Sequence, residues 1–219
     1  MPIELLIFGT GGMAREAAQL ARQVDPASTR WSRISFVAEE ESLLGCRFAY
    51  GEIRFTDALV QSCTMKADVV IGVGHPHVRR EIAQRLSSQP NLSFPNLIHP
   101  SVDIDMSCVS IGRGNIVTKG VIMTCDIKIG EFNLFNWNTT VGHDVSIGSY
   151  NVINPGCNLS GNVVLEDACL IGTGTQVLEN RAIASDVVVG AGSVVINSTE
   201  PNGMYVGNPA RRIKDLPVE

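Results

Sequence analysis

A six-residue spacing of apolar residues runs without a break through the second half of this chain. A period of six is neither the 3.6 of a helix nor the 2 of a strand. It is typical of a short strand followed by a corner, with one large apolar side chain pointing inward on each side of a coil. The spacing therefore predicts a β-helix. Fifteen positions follow it, although apolar residues are only 44% of the chain: Ile111, Val117, Met123, Ile129, Phe135, Val141, Ile147, Ile153, Leu159, Leu165, Ile171, Val177, Ile183, Val189 and Val195.

Three such sides make a triangular coil of about 18 residues, and stacked coils lie about 4.8 Å apart. Residues 18 apart in sequence should therefore be neighbours in space. The position after each inward residue is often glycine, threonine or asparagine, as at Gly112, Thr118 and Gly130, and we expect the tight corners there.

The repeat contains a single histidine, His143, two positions after the inward Val141. Its side chain should therefore point outward. Counting 18 residues back and forward places Cys125 and Gly161 beside it on the adjacent coils. Asp144 follows it directly, and an imidazole next to a carboxylate can be oriented as a general base.

The N-terminal region begins with a buried strand at residues 5–8, a glycine turn at 9–14 and a helix through Gln23. Glycines let a backbone approach a phosphate, and a helix N-terminus offers free N–H groups. The turn has the spacing G-x-G-x-x-A of nucleotide-binding folds. We therefore predict that Gly9, Gly11, Gly12 and Met13 contact a nucleotide; the alternative is that the glycines only pack the helix on the strand.

Two further strands complete one mononucleotide-binding half. The second, residues 34–37, ends near Glu39, where an acid could bind a ribose hydroxyl; the third, residues 68–73, ends at Gly74 and His75 and leads into a helix over 77–88. About 95 residues leave no room for the second half of a dinucleotide fold, which favours a nucleotide sugar over NAD. We therefore predict that Glu39, Gly74 and His75 also contact the nucleotide, His75 at its pyrophosphate. The alternative for His75 is an exposed loop residue without a role.

Composition limits the classes of partner. A net charge of −5 without a basic run argues against nucleic acid. The chain has neither an apolar stretch of about 20 residues nor a basic, cleavable N-terminus, so we expect a cytoplasmic protein without a membrane span. Six cysteines without a CxxC pair predict mostly buried thiols, and one histidine in the repeat predicts no metal site. The change of pattern near His99 predicts domains at residues 1–98 and 99–219.

Several motifs are similar to those of the hexapeptide-repeat sugar acetyltransferases, the family of sialic acid O-acetyltransferases and nucleotide-sugar N-acetyltransferases. They are LIHPS at 97–101, TTVGHD at 139–144, LSGN at 159–162 and YVGNPARR at 205–212. The resemblance implies a Rossmann-like N-terminal domain, a β-helix that is left-handed, and a homotrimer with its sites between subunits. Phe135 and Trp137 could help to close that interface, or Trp137 could instead stack on the sugar.

The resemblance also implies roles for residues. His143 is the general base, Asp144 holds its ring where close relatives more often have glutamate, and the Gly161 N–H stabilises the oxyanion, its missing side chain leaving room for the acetyl group. Transfer from acetyl-CoA is direct, without an acyl-enzyme. The residues implied along the path of coenzyme A are Gly161, Gly172, Gly174, Ala191, Pro209 and Arg211.

The resemblance favours an N-acetyltransferase that acts on a UDP- or dTDP-linked 4-amino sugar in glycan or O-antigen synthesis. Three alternatives stay open. The acceptor could be a hydroxyl of sialic acid or of another sugar; the chain could be a non-catalytic, trimeric nucleotide-binding scaffold; or the glycine turn could serve NAD-dependent redox chemistry.

Overall fold

The structure is a computed structural model and describes residues 2–217. Its N-terminal region is a six-stranded sheet of order β3-β4-β2-β1-β5-β6 with helices around it. A short 3-10 helix, Glu41–Leu43, precedes β3. The elements are β1 (Ile3–Phe8), α1 (Gly12–Val24), β2 (Trp31–Ala38), β3 (Arg47–Phe48), β4 (Gly51–Thr56), α2 (Asp57–Ser62), β5 (Ala67–Ile71), α3 (Pro76–Leu86) and β6 (Leu92–Ser93).

The three strands and two helices expected here are present. Strand β4, which pairs with β2, and helix α2, which follows it, were not predicted. Buried and exposed residues do not alternate regularly in β4, where only Ile53 and Thr56 are buried.

The rest of the chain is a left-handed parallel β-helix, as the spacing and the resemblance predicted. Its strands are β7 (Leu97–Ile98), β8 (Val109–Ile111), β9 (Ile116–Val117), β10 (Ile122–Met123), β11 (Ile127–Ile129), β12 (Leu134–Phe135), β13 (Thr140–Val141), β14 (Ser146–Ile147), β15 (Val152–Ile153), β16 (Asn158–Leu159), β17 (Val164–Leu165), β18 (Leu170–Ile171), β19 (Gln176–Val177), β20 (Ala182–Ile183), β21 (Val188–Val189) and β22 (Val194–Val195), followed by an antiparallel hairpin of β23 (Gly203–Gly207) and β24 (Ala210–Asp215).

The strands stack into three parallel faces, and each pairs with the strand 18 residues on, as Met123 does with Val141 and Val141 with Leu159. We call the sheet of β7, β9, β12, β15, β18, β21, β23 and β24 the covered face. The sheet of β10, β13, β16, β19 and β22 is open face 1, and that of β8, β11, β14, β17 and β20 is open face 2.

The inward positions form the core of the β-helix. Fourteen of the fifteen predicted side chains are buried, and Ile111, on the first coil, is partly buried. Phe135 is fully enclosed in this core, so it cannot help to form a subunit interface.

The corners lie elsewhere than we expected. Every sixth residue from 114 to 192, three positions after the inward residue, has a positive φ between 53° and 80°, and nine of these fourteen are not glycine. The glycines directly after the inward residue serve another purpose, since a Cβ on Gly112 would lie 2.6 Å from the Gly130 carbonyl oxygen. They are small because the next coil is close.

The N-terminal region packs on the covered face. Helix α1 shares a buried apolar cluster with outward residues of that face, among them Ile116, Leu134 and Val152. Strand β7, which ends at the proposed boundary between residues 98 and 99, already pairs with β9. The two open faces are left without a covering element within residues 2–217.

We expect Asn180→Val to lower the free energy of unfolding by about 1–2 kcal/mol, because a β-branched residue is strained in the left-handed region. Asn180 is exposed and has a φ of 59°, so lost packing does not contribute. The measurement is urea denaturation. Glu179→Val is the matched control, since Glu179 is also exposed but is not among the residues with positive φ. Equal losses for the two variants would contradict the corner assignment.

Candidate active site

His143 lies on the edge between open face 1 and open face 2. It follows β13 on one face and precedes β14 on the other. Its side chain is 59% exposed, as expected for an outward position. In a triangular coil, the edge between two faces lies opposite the third face. The edge that carries His143 therefore lies opposite the covered face.

Asp144 fixes the orientation of the imidazole. Nδ1 of His143 lies 2.8 Å from Oδ2 of Asp144. A carboxylate only accepts hydrogen bonds, so Nδ1 carries the proton and Nε2 keeps its lone pair. Asp144 is also the corner residue, with a φ of 59°, and aspartate is enriched in this region of backbone space. The corner therefore favours aspartate at this position in place of glutamate.

Gly161 lies beneath the imidazole on the next coil. A Cβ on Gly161 would come within 2.6 Å of both Cε1 and Nε2 of His143. The missing side chain thus makes room for the imidazole itself, where we had expected room for the acetyl group. Among the described residues, no acceptor takes the Gly161 N–H. A free donor beside Nε2 is a geometry suited to an oxyanion.

Cys125 occupies the same column on the preceding coil and is exposed. The expectation that most cysteines are buried is wrong: only Cys157 and Cys169 are, and all six thiols are free. The outward position of Cys125 follows from the 18-residue length of a coil, because Cys125 lies 18 residues before His143. Desolvation by its surroundings, and then the nearby carboxylates of Asp126 and Asp144, raise the pKa of its thiol.

An open groove of about 550 Å³ runs along open face 2 beside this edge. Its lining includes the carboxylates of Asp126 and Asp144, the ammonium of Lys128 and the hydroxyl of Ser107. The sequence alone did not identify this groove, because its far wall is the irregular first coil around Met106.

The residues expected to contact coenzyme A lie in three places. Gly161 lies at the His143 edge, whereas Gly172, Gly174 and Ala191 lie at the edge between open face 1 and the covered face. A Cβ on Gly172 would be 2.5 Å from the Ala191 nitrogen, so these two are neighbours. Pro209 connects the strands of the C-terminal hairpin, and Arg211 lies exposed on β24.

A pocket of about 500 Å³ opens at the carboxyl ends of β1, β2 and β5. Six of the seven residues predicted to contact a nucleotide line it: Gly9, Gly11, Gly12, Met13, Glu39 and Gly74. The seventh, His75, caps α3 and does not line the pocket. Its ring lies 5.7 Å from that of His77.

Two features of the pocket suit a phosphate. Gly9 has a φ of 109° and lies against the Gly72 carbonyl, where a side chain would be strained. Gly11 caps α1 without a side-chain hydrogen bond, so the first N–H groups of the helix stay available to an anion. Asp57 and Arg85 form an ion pair in the lining; sequence analysis missed it because Asp57 follows the unpredicted β4.

Within residues 2–217, no group of three or more histidine, cysteine, aspartate or glutamate side chains could hold a metal ion. In the same part of the chain, no helix has the length and apolar character needed to cross a bilayer.

Comparisons with known proteins show which folds this chain resembles. Residues 4–86 match the model of the PglD N-terminal domain. A search of curated proteins finds no match. The acetyltransferase domain of PglB from Neisseria gonorrhoeae, solved with acetyl coenzyme A, is 26% identical with a TM-score of 0.88, over 97% of this chain and 100% of that one.

WeeI from Acinetobacter baumannii is 26% identical with a TM-score of 0.84, over 96% of this chain and 99% of that one. The chain has the fold of the hexapeptide-repeat sugar acetyltransferases. The predicted resemblance and the predicted enzyme class, acyltransferase, are confirmed by these likenesses. A perosamine N-acetyltransferase from Caulobacter crescentus, solved with CoA and GDP-perosamine, shares the fold at 23% identity and a TM-score of 0.85, over 97% of each chain.

For this sugar acetyltransferase fold, we expect Gly161→Ala to reduce acetyl transfer at least a hundredfold, because the added methyl displaces the imidazole from its place over the coil. The measurement is release of free thiol from acetyl-CoA. Glu179→Ala is the control, since it changes the same column one coil further on and leaves the ring untouched. Similar rates for both variants would show that the packing of Gly161 against His143 is unimportant.

We expect Asp144→Asn to lower kcat by about 10- to 1,000-fold with little change in thermal stability. Asparagine tolerates the left-handed corner, but its amide can donate to Nδ1 and select the wrong tautomer of the imidazole. The measurements are kcat and the melting temperature. A parallel loss of stability would mean that the carboxylate serves the fold and not the ring.

Proposed function

We propose that the chain is an acetyl-CoA-dependent N-acetyltransferase that acts on the amino group of a nucleotide-linked sugar. The observation that carries this proposal is the exposed imidazole of His143, oriented by Asp144 at 2.8 Å and packed over Gly161, whose N–H is free among the described residues. A base and an oxyanion donor on one edge are what acyl transfer requires. Relatives solved with acetyl-CoA or with CoA and a GDP-linked amino sugar support the same reading.

The mechanism follows from this arrangement. The acceptor nitrogen attacks the thioester carbon of acetyl-CoA while Nε2 of His143 takes its proton. The oxyanion of the tetrahedral intermediate accepts a hydrogen bond from the Gly161 N–H, a contribution of about 3 kcal/mol for such donors. Collapse breaks the C–S bond, and the CoA thiolate takes the proton back from His143. The products are the acetamido sugar and free CoA, and no acyl-enzyme forms.

Coenzyme A is assigned to the later coils. We propose that its pantetheine arm follows Gly172, Gly174 and Ala191, and that Pro209 and Arg211 meet its nucleotide end. Gly172, Gly174 and Ala191 lie on a different edge of the β-helix from His143, whereas Gly161 lies beside His143. A cleft formed by one edge from each of two copies would bring the two sets together.

The positions of the nucleotide pocket and of His143 also support a homotrimer. The nucleotide pocket belongs to the domain on the covered face, and His143 lies on the edge opposite that face. A sugar held by one copy therefore needs the imidazole of another copy. Cyclic symmetry with three equivalent clefts meets this need. Trp137, which is 43% exposed at an edge of open face 1, is placed for either the interface or the sugar.

The charge of the groove favours an amine over sialic acid as the acceptor. Asp126 and Asp144 both line it, against one ammonium from Lys128. Carboxylates attract a cationic amino sugar and repel the carboxylate of sialic acid. The free thiols are in keeping with a cytoplasmic enzyme.

The test is an acceptor panel with thiol release from acetyl-CoA as the readout. The panel contains UDP-, dTDP- and GDP-linked 4-amino sugars and free sialic acid, and the corresponding nucleotides and NAD are screened by thermal shift. Transfer to a nucleotide-linked amine supports the proposal. Transfer to sialic acid alone would overturn the acceptor, and stabilisation by NAD alone would overturn the assignment of the N-terminal pocket.

We expect His143→Ala to lower kcat by about 10²- to 10⁴-fold, the usual contribution of a general base. The melting temperature should stay close to that of the wild type, because the side chain is exposed and its hydrogen bond to Asp144 lies at the surface. The measurement is kcat with a saturating amino-sugar acceptor. A rate within about threefold of the wild type would favour a non-catalytic β-helix.

A further inference from the structure

Arg79 is a charged residue in an unusual place. It lies in the first turns of α3 and is fully buried between the N-terminal region and the β-helix. No acidic side chain pairs with it in the described part of the chain. Its partners are backbone carbonyls, and one guanidinium nitrogen, Nη2, has none.

The guanidinium joins two segments of backbone through three carbonyls. Nη1 donates to the carbonyls of Ile71 and Val73, both at 2.8 Å, and Nε donates to the carbonyl of Phe132 at 3.0 Å. Ile71 ends strand β5, and Val73 lines the nucleotide pocket. Phe132 is a corner residue of the β-helix, with a φ of 55°. One side chain therefore ties the wall of the pocket to the β-helix.

Stability alone does not explain this choice of residue. Burial of a cation without an acid is costly, and it lowers the pKa of Arg79 to about 9. An apolar side chain of similar size would avoid that cost. Other contacts already hold the domains together, since Phe132 packs edge-on against Phe94 and helix α1 packs on the covered face.

We propose that Arg79 is a positioning residue, which fixes the nucleotide pocket against the β-helix so that the sugar held there meets the imidazole at reacting distance. The inference rests on the proposed function. In a symmetric assembly of β-helices, the orientation of each N-terminal domain on its own β-helix sets where its pocket points. A misplacement of about 1 Å can reduce a rate a hundredfold, so a rigid link between pocket and β-helix has a direct effect on turnover.

Arg79→Met and Arg80→Met form a matched pair of variants. Methionine keeps length and apolar volume but cannot donate to the three carbonyls. Arg80 is the next residue on α3 and also reaches the β-helix, through Asp186 at 3.1 Å. It touches no carbonyl of the pocket wall, so its variant reports the loss of an interdomain contact alone. Arg79→Lys keeps the positive charge and some of the hydrogen-bond donors. If Arg79→Met fails to fold, Arg79→Lys takes its place in the comparison with Arg80→Met.

The experiment measures kcat and KM for a nucleotide-linked amino sugar and KM for acetyl-CoA, on full-length protein well below each variant's melting temperature. We expect Arg79→Met to lower kcat/KM for the acceptor at least tenfold with KM for acetyl-CoA within twofold. Arg79→Lys should fall between it and the wild type, and Arg80→Met should be within about twofold of the wild type.

Three results would overturn the inference. A lower melting temperature with unchanged acceptor kinetics would make Arg79 a stabilising residue only. Equal effects of Arg79→Met and Arg80→Met, or a matching rise in KM for acetyl-CoA, would remove its specific link to the pocket. None of these results contradicts the proposed function, because in each case the wild type still acetylates the nucleotide-linked amine. A wild type that acetylates no nucleotide-linked amine would instead overturn both.

Discussion

A left-handed backbone corner at every sixth residue determines the rest of the β-helix. Each corner turns the chain from one face to the next, so that the inward side chain falls in the core and the residue before the corner points out at an edge. His143 is in that last position, with Asp144 as the corner. The imidazole is thus presented by the same geometry that closes the coil, and it needs no special loop to hold it.

The residues at this edge each meet two requirements, one of the fold and one of the proposed chemistry. Asp144 must adopt a positive φ and must accept a hydrogen bond from Nδ1. Gly161 must leave space for the ring above it and must keep its N–H free of the β-helix. Few residue types satisfy both conditions, since aspartate and asparagine are among the few side chains that adopt a positive φ readily and only glycine leaves the space that the ring fills.

The sequence predicted the β-helix, its 18-residue neighbours and the pairing of His143 with Gly161, because a strict period depends on spacing alone. The location of the corners was missed, since glycine after the inward residue suggests a turn when it in fact relieves contact with the next coil. Strand β4 was missed because its apolar alternation is weak. Arg79 gave no signal, because an arginine on a helix beside Arg80 looks exposed until the packing of both domains is known.

The placement of the N-terminal domain separates the nucleotide pocket from His143 within one copy. By covering one face of the triangle with α1, the chain puts its nucleotide pocket on one side and leaves His143 on the opposite edge. In the proposed function, transfer to a pocket-bound sugar would use the imidazole of a second copy, and the distance between the sugar and that imidazole would depend on how rigidly each pocket is fixed to its own β-helix. The buried guanidinium of Arg79, with donors to both sides of that junction, supplies such a link at the cost of an unpaired cation.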